Sequence, residues 1–125
     1  MIQVVATPKA PQPVGPYSQA IVANGLVFTS GQIALDPKTN KMLEGTIEEQ
    51  TRQVLDNLSR VLESVGGSLH QTLKTTVFLQ DLNDFSAMNK VYSEYFSEHK
   101  PARTTIQAAK LPLNAKIEIE LVALA

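Results

Sequence analysis

Several residue types that carry chemistry in other proteins are absent or scarce in this sequence. It has no cysteine, no tryptophan and only two histidines among 125 residues. The absence of cysteine excludes disulfides, thiolate nucleophiles and cysteine-ligated metals. The histidines, His70 and His99, do not have the close spacing of metal ligands. Thiol chemistry is therefore excluded, and the two histidines do not indicate a metal site.

Neither charge nor hydrophobicity is concentrated in one stretch. The net charge is −1 and the pI is about 6.1, with no basic cluster of the kind that binds nucleic acid or anionic membranes. No apolar run approaches the roughly 20 residues of a membrane-spanning helix, and the first residues lack the pattern of a secretion signal. We expect one cytoplasmic domain over residues 1–125, long enough to bury about two-thirds of its unfolded surface.

Local patterns predict six strands and two helices in the order β-β-β-α-β-α-β-β. Asn24-Gly25 between two apolar runs is the preferred pair for a type I′ hairpin turn. Thr46 and Glu49 form a capping box ahead of a one-sided apolar stripe, and the Gly66-Gly67 pair ends that helix with a left-handed cap. Apolar residues recur at helical spacing between Phe85 and Phe96. This order predicts an α+β fold with both helices on one face of the sheet.

The predicted strands are apolar on both sides. Phe28 and Val27 point to opposite faces, as do Phe78 and Val77. If two helices cover one face, apolar side chains remain on the other, and such a surface usually binds a partner. We therefore expect a homo-oligomer with the helix-free face of the sheet inside.

One arginine and one pair of acids stand out as candidate functional residues. The stretch Pro101–Ile106 brings Arg103 onto the start of a strand, where its planar donors can bind a carboxylate. The last strand places Glu118 and Glu120 on the face opposite its apolar residues. We interpret Arg103 as a carboxylate clamp and an acid on a neighbouring strand as a general base. The alternative is a structural salt bridge, to Glu118 or across an interface.

Three further residues allow both a structural and a functional interpretation. Tyr17 ends a proline-rich loop, where its ring either covers the core or presents a phenol to a pocket. Gly31 lies where the second hairpin strand is predicted to continue through residues 31–35, and it either marks a bulge or offers its backbone N–H to a ligand. Asn89 lies near the apolar stripe of the second helix, as an edge amide or as a group aimed at a site.

Five segments in this order are typical of one family: Gly15-Pro16-Tyr17-Ser18-Gln19, Ser30-Gly31-Gln32-Ile33, Met88-Asn89-Lys90-Val91-Tyr92, Pro101-Ala102-Arg103-Thr104 and Ile117-Glu118-Ile119-Glu120. Together they resemble the RidA/YjgF family of reactive-intermediate deaminases over essentially the whole chain. The resemblance implies a chorismate-mutase-like α+β fold, with a mixed six-stranded sheet and two helices on one face. It also implies a homotrimer with sites between subunits, and no cofactor or metal.

The resemblance further implies an activity, the hydrolysis of 2-imino acids such as 2-iminobutanoate and 2-iminopropanoate to 2-keto acids and ammonia. Its catalytic residues would be Arg103, which binds the substrate carboxylate, Glu118, which accepts a proton from water, and Tyr17. The residues that would line the substrate pocket together with Arg103 are Ser30, Gly31, Asn89 and Thr105. Thr105 stands where relatives often have cysteine, and we expect it to act through its backbone, since imine hydrolysis needs no thiol.

Two other functions stay open at this point. One is a regulator that binds small carboxylates without turnover. The other is an RNA-acting translation inhibitor, a function attributed to some relatives, against which the acidic pI and the lack of a basic patch argue. A Glu118→Gln variant separates the enzyme from the regulator, because only an enzyme loses turnover while it keeps its affinity for ligands.

Overall fold

The computed structural model describes all 125 residues as one sheet with two helices. The strands are β1 (Gln3–Val5), β2 (Ala20–Ala23), β3 (Leu26–Thr29), β4 (Thr72–Leu79), β5 (Ala102–Gln107) and β6 (Ile117–Leu124). The helices are α1 (Ile47–Glu63) and α2 (Phe85–Tyr95). The predicted element order and the α+β class are confirmed.

The strands form one sheet in the spatial order β1-β2-β3-β6-β4-β5. Neighbouring strands are antiparallel except β4 and β5, which are parallel and are connected through α2. A parallel pair needs such a crossover, because a short hairpin cannot return the chain in the same direction. As a result β4 separates β5 from β6, and β5 is an edge strand.

Local sequence signals were accurate at the turns and caps. Asn24 and Gly25 both have positive φ angles, 52° and 75°, as a type I′ turn requires. The Thr46 hydroxyl accepts a hydrogen bond from the Glu49 N–H at 3.1 Å, and the Glu49 carboxylate accepts one from the Thr46 N–H at 2.9 Å. Gly66 follows α1 with φ 81°. The predicted hairpin, capping box and left-handed cap are confirmed.

The hydrophobic core lies between the two helices and one face of the sheet. Val77 and Ile119 are fully buried there. On the opposite face Phe28 and Ile106 are each 44% exposed. The helix-free face is thus partly apolar and open in the single chain, and the expected homo-oligomer remains a prediction. No helix of the structure has the length and apolar character to cross a membrane.

The second hairpin strand ends earlier than predicted. The strand β3 stops at Thr29, whereas the sequence predicts that it continues through residues 31–35. Phe28 lies opposite Val122, and the next pair is Gln32 opposite Ile119, so this segment has one more residue than the segment of β6 it faces. Such an extra residue is a β-bulge, which bends the chain and redirects side chains. A bulge, which is one of the two interpretations of Gly31, is therefore present beside β6.

Candidate active site

A cavity of about 540 Å³ lies beside this bulge. It brings together four of the residues selected from the sequence: Tyr17, Ser30, Gly31 and Glu118. The proline-rich loop forms another part of its wall, and Leu113 contributes from the loop before β6. No three His, Asp or Glu side chains in the chain converge closely enough to hold a metal ion.

Two side-chain amides hold the proline-rich loop in place. The buried Gln19 accepts a hydrogen bond from the Thr7 N–H at 2.7 Å and donates to the Pro11 carbonyl at 2.9 Å. Asn40 accepts from the Gln12 N–H at 2.9 Å and donates back to the Gln12 carbonyl at 3.2 Å. Proline has no N–H, so side-chain amides replace the backbone pairing that this loop lacks.

Gly31 and Glu118 lie in direct contact at the cavity wall. A Cβ atom added at Gly31 would lie 2.9 Å from the carboxyl carbon of Glu118 and 3.1 Å from its Cγ. The Gly31 N–H donates no hydrogen bond within the chain. Its neighbour Ser30 is fixed, because the Ser30 hydroxyl donates to the Ser18 carbonyl at 2.6 Å. A side chain at this position would displace the Glu118 carboxyl, and the Gly31 N–H has no partner within the chain.

The Glu118 carboxyl is electrostatically unusual for this chain. Burial raises its pKa above the ordinary value of 4.5, and the nearby charge of Glu120 raises it further. No cation of the chain pairs with it, since the one ion pair joins Arg52 and Glu94 at 3.1 Å. A carboxylate with a raised pKa is a stronger base than an exposed one, which suits proton transfer near neutral pH.

Tyr17 is the least fixed of the cavity residues. Its side chain is 50% exposed, and its hydroxyl accepts only a long contact of 3.4 Å from the Val14 N–H. It therefore does not cover the core, which was the structural interpretation of this residue. The phenol lies at the cavity, where it has hydrogen-bonding capacity to spare.

Arg103 lies in a second constellation, between β5 and α2. Its Nη1 donates to the Asn89 side-chain oxygen at 2.7 Å. Its guanidinium carbon is 4.7 Å from the ring centre of Tyr92 and 5.5 Å from that of Phe85. The Tyr92 hydroxyl is hydrogen-bonded to the Thr75 hydroxyl at 2.7 Å. Two rings and an amide thus hold the guanidinium in place, and its charge stays unpaired within the chain.

Thr105 follows two residues after Arg103 on the same face of β5. Its hydroxyl is buried and has no hydrogen-bond partner. Because alternate residues of a strand point the same way, this hydroxyl lies on the side of the sheet that carries Arg103. The Asn89 amide also belongs to this group, and it is not merely a solvated edge residue.

The two constellations lie on opposite faces of the sheet. Arg103 is paired with Thr75 of β4, whose side chain reaches Tyr92 on the helix side. Glu118 is paired with Phe78 of β4, three positions further along, which points away from the helices. The interpretation of Glu118 as an acid on a strand neighbouring that of Arg103 is wrong within one chain, because β4 separates the two strands. A salt bridge between them in one chain is wrong for the same reason.

Sequence reasoning missed the two rings that hold Arg103. Phe85 and Tyr92 lie four residues before and three residues after Asn89, so all three share one face of α2. That spacing was visible in the sequence, but the packing of this face of α2 against Arg103 of β5 was not. Gln32 was also missed as a residue that lines the cavity.

The comparisons with known proteins agree with these features. The family described as endoribonuclease L-PSP matches residues 7–125. The chain belongs to this family, which is the YjgF/RidA family. The predicted family is thus confirmed on nearly the whole length of the chain.

Named relatives of this RidA-family chain include deaminases. It is 51% identical to Reactive Intermediate Deaminase A, chloroplastic, of Arabidopsis thaliana over 97% of this chain and 65% of that protein. It is 41% identical to the human 2-iminobutanoate/2-iminopropanoate deaminase over 98% of this chain and 89% of that protein. A solved structure, E. coli TdcF with bound serine, matches with a TM-score of 0.93 and 38% identity over 98% of both chains. Similarity to deaminases of the RidA type is therefore established, and the fold is that of the family.

Proposed function

We propose that this RidA-family chain hydrolyses 2-imino acids to 2-keto acids and ammonia. One observation carries the proposal: the chain holds a fixed, unpaired arginine and a half-buried, unpaired carboxylate, Arg103 and Glu118. A structural ion pair would have neutralised both charges. The names of the Arabidopsis and human relatives support the same reaction class.

Arg103 supplies the binding of the substrate carboxylate. A guanidinium already held by Asn89 and the ring of Tyr92 loses little rotamer freedom when it binds a ligand. Its remaining donors suit the two oxygens of a carboxylate, in charge-assisted hydrogen bonds. The serine in the E. coli TdcF structure is a small molecule with such a carboxylate. The ligand class is therefore a small 2-imino acid or its 2-keto acid product.

Glu118 supplies the proton transfer. The carbon of a protonated imine is electrophilic, so water adds to it while Glu118 accepts one proton of that water. The Glu118 proton then passes to nitrogen and the C–N bond breaks. The hydroxyl group gives its proton to the departing ammonia, so that ammonium leaves as the ketone forms. Water and the iminium ion are thus converted into a keto acid and an ammonium ion, and Glu118 returns to its ionised state. General base catalysis of this kind contributes about 10²–10⁴-fold.

The remaining predicted residues position the substrate. Gly31 and Tyr17 line the same cavity as Glu118, and the free Gly31 N–H and the Tyr17 hydroxyl are suited to hydrogen bonds with the imino acid. Ser30 fixes the bulge through its bond to the Ser18 carbonyl. No metal or cofactor takes part in this proposal.

A second copy of the chain completes the site. Arg103 and Glu118 lie on opposite faces of the sheet, so one substrate cannot reach both within one chain. In the ring of three copies that we propose, the Glu118 side of each chain faces the Arg103 side of the next, and the ring has three equivalent sites. It also covers the exposed Phe28 and Ile106 of the helix-free face.

The free edge of β5 suits this arrangement. The Ala108 N–H donates to the Leu79 carbonyl of β4, so the even-numbered residues of β5 pair with β4. By alternation, the backbone N–H and carbonyl of Thr105 point outward from the sheet. Thr105 can therefore act through its backbone at the interface, beside Arg103.

The test couples an amino-acid oxidase to the purified chain and follows the trapping of released imine by semicarbazide. We expect the wild type to suppress trapping catalytically and Arg103→Ala to lose this effect. Arg52→Ala is the matched control, because Arg52 also lies over a tyrosine ring. Unlike Arg103, it is ion-paired with Glu94 and lies on the outer face of the helices. A folded wild type without effect contradicts the proposal.

Glu118→Gln distinguishes an enzyme from a regulator that only binds carboxylates. If Glu118 is the base, this variant loses turnover and keeps most of its affinity for 2-oxobutanoate, since Arg103 is unchanged. Binding of 2-oxobutanoate by a wild type without turnover would favour the regulator instead.

A further inference from the structure

Gln32 differs from the other buried amides of the chain. Gln19, Gln50 and Asn57 are each at most 2% exposed, and each uses both its donor and its acceptor within the chain. Gln32 is 7% exposed, its side-chain amide makes no hydrogen bond within the chain, and the amide atoms are not closed off from solvent. The small exposed area of Gln32 therefore includes its amide, and a polar group that opens into a cavity can orient a ligand there.

The position of Gln32 is fixed by its backbone. Its N–H donates to the Ile119 carbonyl at 2.8 Å, and its carbonyl accepts from the Ile119 N–H at 3.1 Å. It follows Gly31 at the bulge, and it lines the same cavity as Gly31 and Glu118. The backbone of Gln32 is therefore held by Ile119, the residue after Glu118, while the side-chain amide has no partner in the chain.

We infer that the Gln32 carboxamide is a ligand-binding group of the cavity. It offers one acceptor and two donors, and it carries no charge. A small imino or keto acid in the cavity can satisfy this amide without changing the charge around Glu118. This inference rests on the proposed function for the identity of the ligand, but the unused amide stands independently of it.

The inference predicts opposite effects of Gln32→Met and Gln50→Met on ligand binding and on melting temperature. Gln32→Met preserves volume and removes an amide that has no partner in the chain, so the melting temperature should not fall. Binding of 2-oxobutanoate should weaken about tenfold, the equivalent of one good hydrogen bond. Gln50→Met is the matched control: it leaves the Leu43 carbonyl and the Lys116 N–H unpaired, so the melting temperature falls while binding is retained.

A third variant tests the neutral character of the group. Gln32→Glu has almost the same shape, but it adds a negative charge beside Glu118 and near the carboxylate of the ligand. We expect it to bind 2-oxobutanoate more weakly than Gln32→Met does.

In steady-state assays Gln32→Met should raise KM and change kcat less than about threefold, because the lost hydrogen bond exists in both the bound substrate and the transition state.

The experiment is a calorimetric titration of the three variants and the wild type with sodium 2-oxobutanoate, beside thermal unfolding. Weaker binding with undiminished stability for Gln32→Met supports the inference. Unchanged binding, or a fall in melting temperature like that of Gln50→Met, overturns it. A wild type that binds 2-oxobutanoate but does not hydrolyse imines overturns the proposed function alone. A wild type that does not bind 2-oxobutanoate overturns the inference as well.

Discussion

Substituting Gly31 with alanine should remove activity without unfolding the protein. The new methyl group would lie 2.9 Å from the carboxyl carbon of Glu118, whereas ordinary contacts begin near 3.4 Å. The carboxylate must therefore move by at least about 0.5 Å, and a displacement of 1 Å in an active site can cost about 10²-fold in rate. We expect kcat to fall about 10- to 100-fold.

The same substitution should have little effect on stability. The backbone of Gly31 does not have a positive φ angle, so alanine can adopt its conformation. The group that must move is the end of a flexible side chain, which costs little. Reduced freedom of the unfolded chain typically stabilises such a variant by about 0.4–1 kcal/mol. The free energy of unfolding should therefore lie within about 1 kcal/mol of the wild type.

Gly45→Ala is a matched control with the same kind of overlap at a different glutamate. Its methyl group would lie 2.8 Å from the Glu49 Oε1, which belongs to the capping box of α1. This variant should lose stability and keep its turnover. Both variants are compared by denaturant unfolding and by the semicarbazide assay. Wild-type turnover in Gly31→Ala would refute the assignment of Glu118 as the base.

Three further predictions concern the surroundings of the two charged groups. Glu120→Gln removes a charge that raises the pKa of Glu118, so the acidic limb of the kcat/KM profile should move to lower pH; an unchanged limb would show that Glu118 does not titrate there. Thr105→Val removes an unpartnered buried hydroxyl and keeps the backbone, so kcat/KM should stay within about threefold and unfolding should not become easier; a large loss of activity would assign the hydroxyl to the substrate. Asn89→Ala releases Arg103 on one side, and we expect kcat/KM to fall about tenfold with the oligomer intact, whereas unchanged kinetics would leave Asn89 without a positioning role.

The raised pKa of Glu118 also predicts how its contribution to the free energy of unfolding changes with pH. Its pKa is raised in the folded state, so the folded chain binds this proton more tightly than the unfolded chain does. Its contribution to stability is present below the ordinary value of 4.5 and is lost as the pH rises through the folded pKa. Replacing it with glutamine should therefore not destabilise the single chain at neutral pH. Denaturant unfolding of both forms at several pH values checks this.

The local features of the fold were accessible from the sequence because short-range chemistry determines them. The positive φ angles of Asn24-Gly25 and the mutual hydrogen bonds of Thr46 and Glu49 depend on residues within a few positions. The alternation of Glu118 with its apolar neighbours also identified the correct face of β6. The segments typical of the family could also be identified from the sequence alone, because each is a contiguous stretch of five residues or fewer.

The relation between the two charged residues was not accessible in this way. Whether Arg103 and Glu118 share a face depends on which strand lies between theirs, and this order results from long-range pairing. The glycine at position 31 indicated a bulge, but the register that places Gln32 opposite Ile119 depends on pairing with a distant strand. The unused amide of Gln32 follows from that register and from the loops around it, so only the structure reveals it.

The central claim is that one substrate is held by Arg103 of one copy and Glu118 of another. The most direct test mixes differently tagged Arg103→Ala and Glu118→Gln chains in equal amounts, refolds them together and isolates the hybrids. In a ring of three that contains both variants, one site of the three combines an intact Arg103 with an intact Glu118 from different chains, so about a third of wild-type turnover should return. Hybrids that co-purify and stay as inactive as either variant alone would contradict the account.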